Sequence, residues 1–227
     1  PRIVTSTLWE VRFPRLVIAL AVGAGLGCAG ALLQGIFANP LAEPSIIGVS
    51  SGGAVFASGL LAIASLAGVE RSYGFLKWGT ALAAFIGALL TTLLVYSLSR
   101  VQGKTVVVNL ILVGVAINAM AGGFVTLFSF IGGTMAQSQV VFWQLGSLAG
   151  AGWSSAVITL IITVIGIVIA CLCAPKMDLL ALGENQARHL GVNVERFRLC
   201  VIILVAALVG VGVAFAGVIA FVGLIVP

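Results

Sequence analysis

The chain has 227 residues, of which 61% are hydrophobic and 7% charged, with a mean hydropathy of +1.27 and a formal net charge of +5. Soluble domains carry roughly 25% charged residues, so the composition excludes a water-exposed globular domain and puts the chain in a membrane. Its 11 basic residues fall between apolar runs and read as flanking charges, which argues against nucleic-acid binding.

A bilayer core of about 30 Å takes roughly 20 apolar residues as helix. In chain order the sequence predicts six spans, at residues 16–38, 46–67, 76–98, 105–130, 153–174 and 199–217. A short broken helix follows at 218–227, of the kind a membrane tolerates where protein or a cavity surrounds it. The first run is too long, and followed by too many others, to be a cleavable leader.

Arg12 and Arg15 precede the first span and, read alone, are snorkelling residues at an interface. Asn39-Pro40 after it is a helix-stopping turn. Gly103-Lys104-Thr105 looks like the end of a phosphate loop, but Leu98 stands where that motif needs glycine and no strand is expected before it, so it reads as a turn. Cys28, Cys171, Cys173 and Cys200 sit in or beside apolar runs as small fillers. Small residues at four-residue spacing, as in Gly23 and Gly27 or Gly48 and Gly52, allow close helix approach where lipid gives no hydrophobic drive for association.

The connections form two sets. One holds Arg100, Lys104, Lys176, Arg188, Arg196 and Arg198; the other holds Arg2, Arg12, Arg15, Arg71 and Lys77. The positive-inside rule assigns the first set to the cytoplasm, more clearly once the N-terminal arm is set aside.

That set contains residues 177–192, the first charged segment after the 71 uncharged residues from Thr105 to Pro175. Asp178 is suited to cap a short helix over Leu179 to Leu182 that Gly183 ends. Glu184 then opens a second short helix, with Arg188 and His189 in its last turn and Gly191 beyond it, so that the charges complement the helix dipole. Glu184 and Arg188 are an i, i+4 pair in the favourable order. The expectation is a folded knob, either a docking surface or an ordinary interfacial loop. His189 lacks the companions of a metal site.

The spans themselves hold amides and hydroxyls such as Gln34, Asn118 and Thr126, either glue between helices or pore lining. Ion-coupled carriers place ionisable groups inside the bilayer; here they stand at the span edges, so a transporter of this type draws its energy from elsewhere. An ion-coupled carrier and a non-transporting scaffold stand as the other hypotheses.

Several motifs, in order and over nearly the whole chain, resemble the FecCD family of importer permeases driven by ATP-binding-cassette subunits. They are Val11 to Arg15, Gly30 to Gln34, Asn39 to Pro44, Gly48 to Gly52, Leu112 to Asn118, Phe142 to Leu148, Ala181 to Val192 and Gly217 to Pro227. The resemblance implies an all-α polytopic bundle, this chain being the part of a roughly ten-helix subunit from the second helix onward. It implies a bacterial cytoplasmic-membrane permease without catalysis of its own, working as a homodimer with two ATP-binding subunits and an extracytoplasmic substrate-binding protein. No cofactor is then held by this chain, and ATP and magnesium belong to the partner ATPase.

Carried onto this sequence, the resemblance gives Arg12 and Arg15 a role in docking the binding protein, and Asn39 and Leu41 one at the cytoplasmic gate. Leu182, Gly183, Glu184, Gln186, Arg188, His189, Leu190 and Gly191 become candidate ATPase contacts, and Gly114, Asn118, Gly122 and Thr126 line the passage. The expected cargo is an iron chelate, heme first, with ferric siderophores and cobalamin as the alternatives. Phe124, Phe128, Phe130 and Met135 suit a porphyrin, although core packing explains them equally.

Overall fold

In the computed structural model, which describes residues 7–68 and 73–227 and all their side chains except those at 73, 75, 135, 136 and 142, every apolar run is a helix. Arg2, Arg71 and the Met135 side chain, named above, lie outside the described residues. A π-helical turn, Leu8–Arg12, runs without a break into α1, Phe13–Phe37, with Pro14 in the first turn where its missing N–H costs nothing. Ala38 leaves α1 in the left-handed conformation, and a 3-10 turn, Pro44–Ile47, leads into α2, Val49–Leu66.

After α3, Tyr73–Leu98, a hairpin pairs β1, Arg100–Val101, with β2, Lys104–Thr105. The chain continues through α4, Val107–Ile131; α5, Gly133–Leu145; α6, Trp153–Ala181; α7, Glu184–His189; α8, Val194–Ala216; and α9, Val222–Ile225. Six of the described helices are long and apolar enough to cross a membrane.

Two expectations need correction. A two-residue strand does precede Gly103, but Gln102 and Gly103 both have positive φ and close a tight hairpin. Asp178 caps nothing: α6 runs through Pro175 to Ala181, so the first of the two expected short helices is the end of a long one. Met177 and Leu179 pack against the core and Leu180 is buried in it, and this packing outweighs the local capping signal. Polar α5 was not anticipated, being too short to span and bearing no strong period.

The bundle is built around α1 and α8. In its most apolar stretch α8 is 61% buried and α1 56%, against 22% for α4 and 28% for α6. Ile18, Leu33 and Ile36 of α1 meet Val201, Ile202 and Val205 of α8 in one cluster. Of the two glycine pairs, the second carries a backbone crossing, a Cβ on Gly52 lying 2.5 Å from the Gly87 carbonyl of α3; in the first, Gly23 has open space around it and a Cβ on Gly27 would lie 3.1 Å from the Val226 side chain. The four cysteines are free.

The ends of the helices sort by contact. Arg15 donates to the Ala149 carbonyl at 3.2 Å and Lys77 to that of Gly150 at 3.1 Å, which joins the starts of α1 and α3 to the loop before α6. The hairpin, α7 and the start of α8 meet at the opposite end.

Candidate functional site

At the hairpin end α7 is a short foot. Gly183 takes φ 119° ahead of it and Gly191 φ 86° behind it, conformations open to glycine. Ala187 is fully buried and pins one face, while Leu182 (63% exposed), Gln186, Arg188, His189 and Leu190 (62% exposed) turn outward. Glu184 lies 3.6 Å from Arg188.

Sequence reasoning missed the foot's anchor. Arg198, in the second turn of α8, is buried and its guanidinium donates to the Glu184 carboxylate. Its Nη1 also stands 3.6 Å from Glu195 Oε1. The other oxygen of Glu195 accepts from the Thr105 hydroxyl at 2.7 Å and the Thr105 backbone N–H at 3.1 Å. The i, i+3 spacing of Glu195 and Arg198 was readable, but the pairing with Glu184, 14 residues away, depends on the turn between α7 and α8.

The second group surrounds α9. Asn39 Oδ1 accepts from the Leu41 N–H at 2.9 Å, an Asx turn that leaves Leu41 69% exposed. Glu43 Oε1 accepts from the N–H of Phe221, the left-handed residue that opens α9, at 2.9 Å. Gln34 donates to the Leu224 carbonyl at 3.3 Å. A Cβ on Gly30 would fall 1.8 Å from the Gly223 carbonyl oxygen, so glycine here lets the half-helix lie directly on α1. Glu43 carries no proposed role in the sequence reading, yet it joins the Asn39 turn to α9.

The third group lines a cleft of about 350 Å³ walled by Ser45, Ser50, Ser51, Asn118, Gly122 and Gln144, among others. Asn118 donates to the Ser45 carbonyl at 3.1 Å and accepts from the Ser51 hydroxyl at 2.6 Å, so it both faces the cleft and ties α4 to the start of α2. Gly122 lines the same cleft. Thr126 gives its hydroxyl to the Gly122 carbonyl at 2.9 Å, within its own helix. Gly114 is not among the lining residues; a Cβ there would sit 1.9 Å from the Ile46 carbonyl oxygen, making it a close-packing position. Gln144 comes from the end of α5, where the Trp143 carbonyl accepts from Val218 N–H at 3.2 Å and Ser147 N–H donates to the Ala216 carbonyl at 2.8 Å. Phe128 packs on Gly59 of α2, whereas Phe124 and the 85% exposed Phe130 face outward.

At the α1 end, Arg12 is exposed near Arg15, and the Trp153 indole donates to the Trp9 carbonyl at 2.9 Å. The rings of Trp9 and Trp153 lie 5.2 Å apart. Such amphipathic rings favour a membrane–water interface.

The chain is 36% identical over 222 residues to the hemin transport system permease protein of Yersinia pestis, covering 97% of this chain and 65% of that protein. It is 38% identical over 220 residues to the vitamin B12 import system permease protein of Vibrio vulnificus, covering 97% of this chain and 64% of that one. It thus spans just under two thirds of the length of these relatives. A solved structure described as a metal-chelate type ABC transporter in an inward-facing conformation superposes with a TM-score of 0.85 at 33% identity, over 99% of this chain and 69% of that one. The sequence profile of the FecCD transport family matches residues 2–227. On a match that runs almost end to end and a shared bundle, this chain belongs to the FecCD transport family.

Proposed function

We propose that this chain works as the membrane-spanning permease of an ATP-driven importer in a bacterial cytoplasmic membrane, as one of two identical copies. Two ATP-binding subunits, which hold the ATP and magnesium, dock on its α7 foot, and an extracytoplasmic binding protein delivers cargo at the Arg12 and Arg15 end. The observation that carries this reading is the foot itself: an exposed surface of Leu182, Gln186, Arg188, His189 and Leu190 on a helix whose other side is anchored by Ala187 and the buried Arg198. A surface of this kind can transmit force, because its buried side is tied to α8 while its outer side is free to be gripped. Asn39 and Leu41 gate the inner mouth, and Asn118 and Gly122 face the moving cargo, with Gly114 and Thr126 shaping the helix that carries them.

The cargo is an iron chelate, hemin first, with ferric siderophores and cobalamin as the alternatives. Support comes from the hemin permease of Yersinia pestis at 36% identity; the vitamin B12 permease of Vibrio vulnificus, at 38%, keeps cobalamin as the second reading. Rewriting the exposed surface between Leu182 and Leu190 tests the docking role. The ATP hydrolysis stimulated by the loaded binding protein is expected to vanish while the dimer still assembles, and unchanged stimulation contradicts it. A binding screen of the cognate binding protein against hemin, ferric siderophores and cobalamin decides the cargo, with hemin expected.

A further inference from the structure

Arg198 is a guanidinium buried to 5% exposure near the start of α8. Burial of a charge is unfavourable unless it is paired, and a buried ion pair replaced by apolar residues of similar size is often no less stable. Stability alone is therefore a weak reason for the group to be there, and its position offers a better one.

Arg198 touches carboxylates from two elements: Glu184, the first residue of α7, and Glu195, in the first turn of α8. Glu195 in turn holds the backbone N–H and the hydroxyl of Thr105, the last residue of β2, two positions before α4 begins at Val107. A continuous run of polar contacts thus leads from α7 through α8 to the start of α4, the helix that carries Asn118 and Gly122 along the cleft.

The run is only partly satisfied. Arg198 Nε and Glu195 Oε1 are buried without a hydrogen-bond partner among the described residues, and the Arg198 Nη1 to Glu195 Oε1 separation of 3.6 Å is beyond hydrogen-bond length. A shift of about 0.7 Å would bring that pair to the usual 2.9 Å. Different nitrogens of the guanidinium face the two carboxylates, Nη2 towards Glu184 and Nη1 towards Glu195, so a small movement of α7 shifts the balance of its hold from one to the other. Paired arrangements separated by a sub-ångström shift are the kind of element that packed interfaces amplify.

We propose that Arg198 is a positioning residue that passes the movement of α7 to α4 by shifting its hold between Glu184 and Glu195, with Thr105 as the final link. The inference rests on the reading of α7 as the ATPase docking surface.

The test uses the full protein assembled with its ATPase and binding protein in proteoliposomes. The double substitution Arg198→Met, Glu195→Gln removes the grip and leaves Glu184 beside Arg188. Stimulation by the loaded binding protein, read as a ratio to the same variant's own basal ATP hydrolysis, is expected to fall about tenfold, within the range of coupling between sites. Thr105→Val removes one link and no charge; about a threefold fall is expected there, so a poorly assembling double variant does not end the test. Arg198→Lys, which keeps the charge but not the two-pronged grip, should recover stimulation in part. Wild-type stimulation in the double variant, or in Thr105→Val if the double variant fails to assemble, overturns the proposal. If rewriting the exposed α7 surface leaves stimulation intact, the docking reading itself has failed; if that rewriting abolishes it and the Arg198 and Thr105 variants do not, only the shift of hold has.

Discussion

Gly30→Ala inserts a single methyl group where α1 and α9 touch. Its Cβ would lie 1.8 Å from the Gly223 carbonyl oxygen, 2.7 Å from the carbonyl carbon and 2.9 Å from Cα, all of them backbone atoms that cannot rotate away. Restoring ordinary contact means lifting the half-helix by about 1.5 Å, since unbonded carbon and oxygen sit roughly 3.3 Å apart. The same lift stretches the 2.9 Å bond from Phe221 N–H to Glu43 and the 3.3 Å bond from Gln34 to Leu224 beyond reach.

A hydrogen bond to a charged group contributes about 1.5 kcal/mol at the low end suited to an exposed pair, and a neutral one about 1 kcal/mol. With a residual overpacking strain of about 1 kcal/mol, the loss comes to about 3 to 4 kcal/mol. For a domain of this size that corresponds to a melting temperature lower by about 6–16 °C. Gly23→Ala is the internal control, on the same helix with nothing within 4 Å of the added methyl, and should hold or slightly raise the melting temperature because alanine is the better helix former. Thermal melting of the detergent-solubilised full protein, followed by size-exclusion peak height, reads both. Equal melting of the two variants would refute the close-packing account of α9.

Asn118→Leu strands the Ser45 carbonyl and weakens the hold on Ser51, so it should cost about 1–3 kcal/mol in melting experiments and reduce uptake further by greasing one wall of the cleft. Leu182→Ser with Leu190→Ser removes two exposed apolar contacts from the foot; ATPase affinity measured on the purified permease should drop about tenfold or more, with melting unchanged. Arg12→Glu with Arg15→Glu should weaken binding-protein association, mostly in the association rate, and the wild-type rate should itself fall as salt is raised.

Apolar run length was enough to read the six long helices, since hydropathy over about 20 residues is imposed by the bilayer rather than by neighbouring helices. The end of α6 was not legible in the same way. Pro175 and Asp178 are local stop and start signals, and they lose to the packing of Met177 and the burial of Leu180, which no local pattern records. The α7 foot was readable because its signals are local: Gly183 and Gly191 at its borders, Glu184 and Arg188 one turn apart. Arg198 was hidden for the opposite reason, as its two partners meet it only after the chain reverses between α7 and α8. In α4, Asn118 and Gly122 share the cleft, but the glycine at 114 serves the approach of the Pro44–Ile47 turn, a distinction that composition does not contain.

Under the proposed function, energy reaches this bundle from outside, through the foot. The most direct measurement is accumulation of labelled hemin and of labelled cobalamin, in parallel, by proteoliposomes holding the full permease, its ATPase and its binding protein. ATP and magnesium supplied on the ATPase side should drive accumulation of one of them with no ion gradient imposed. Accumulation that follows a proton gradient and persists without ATP would contradict it.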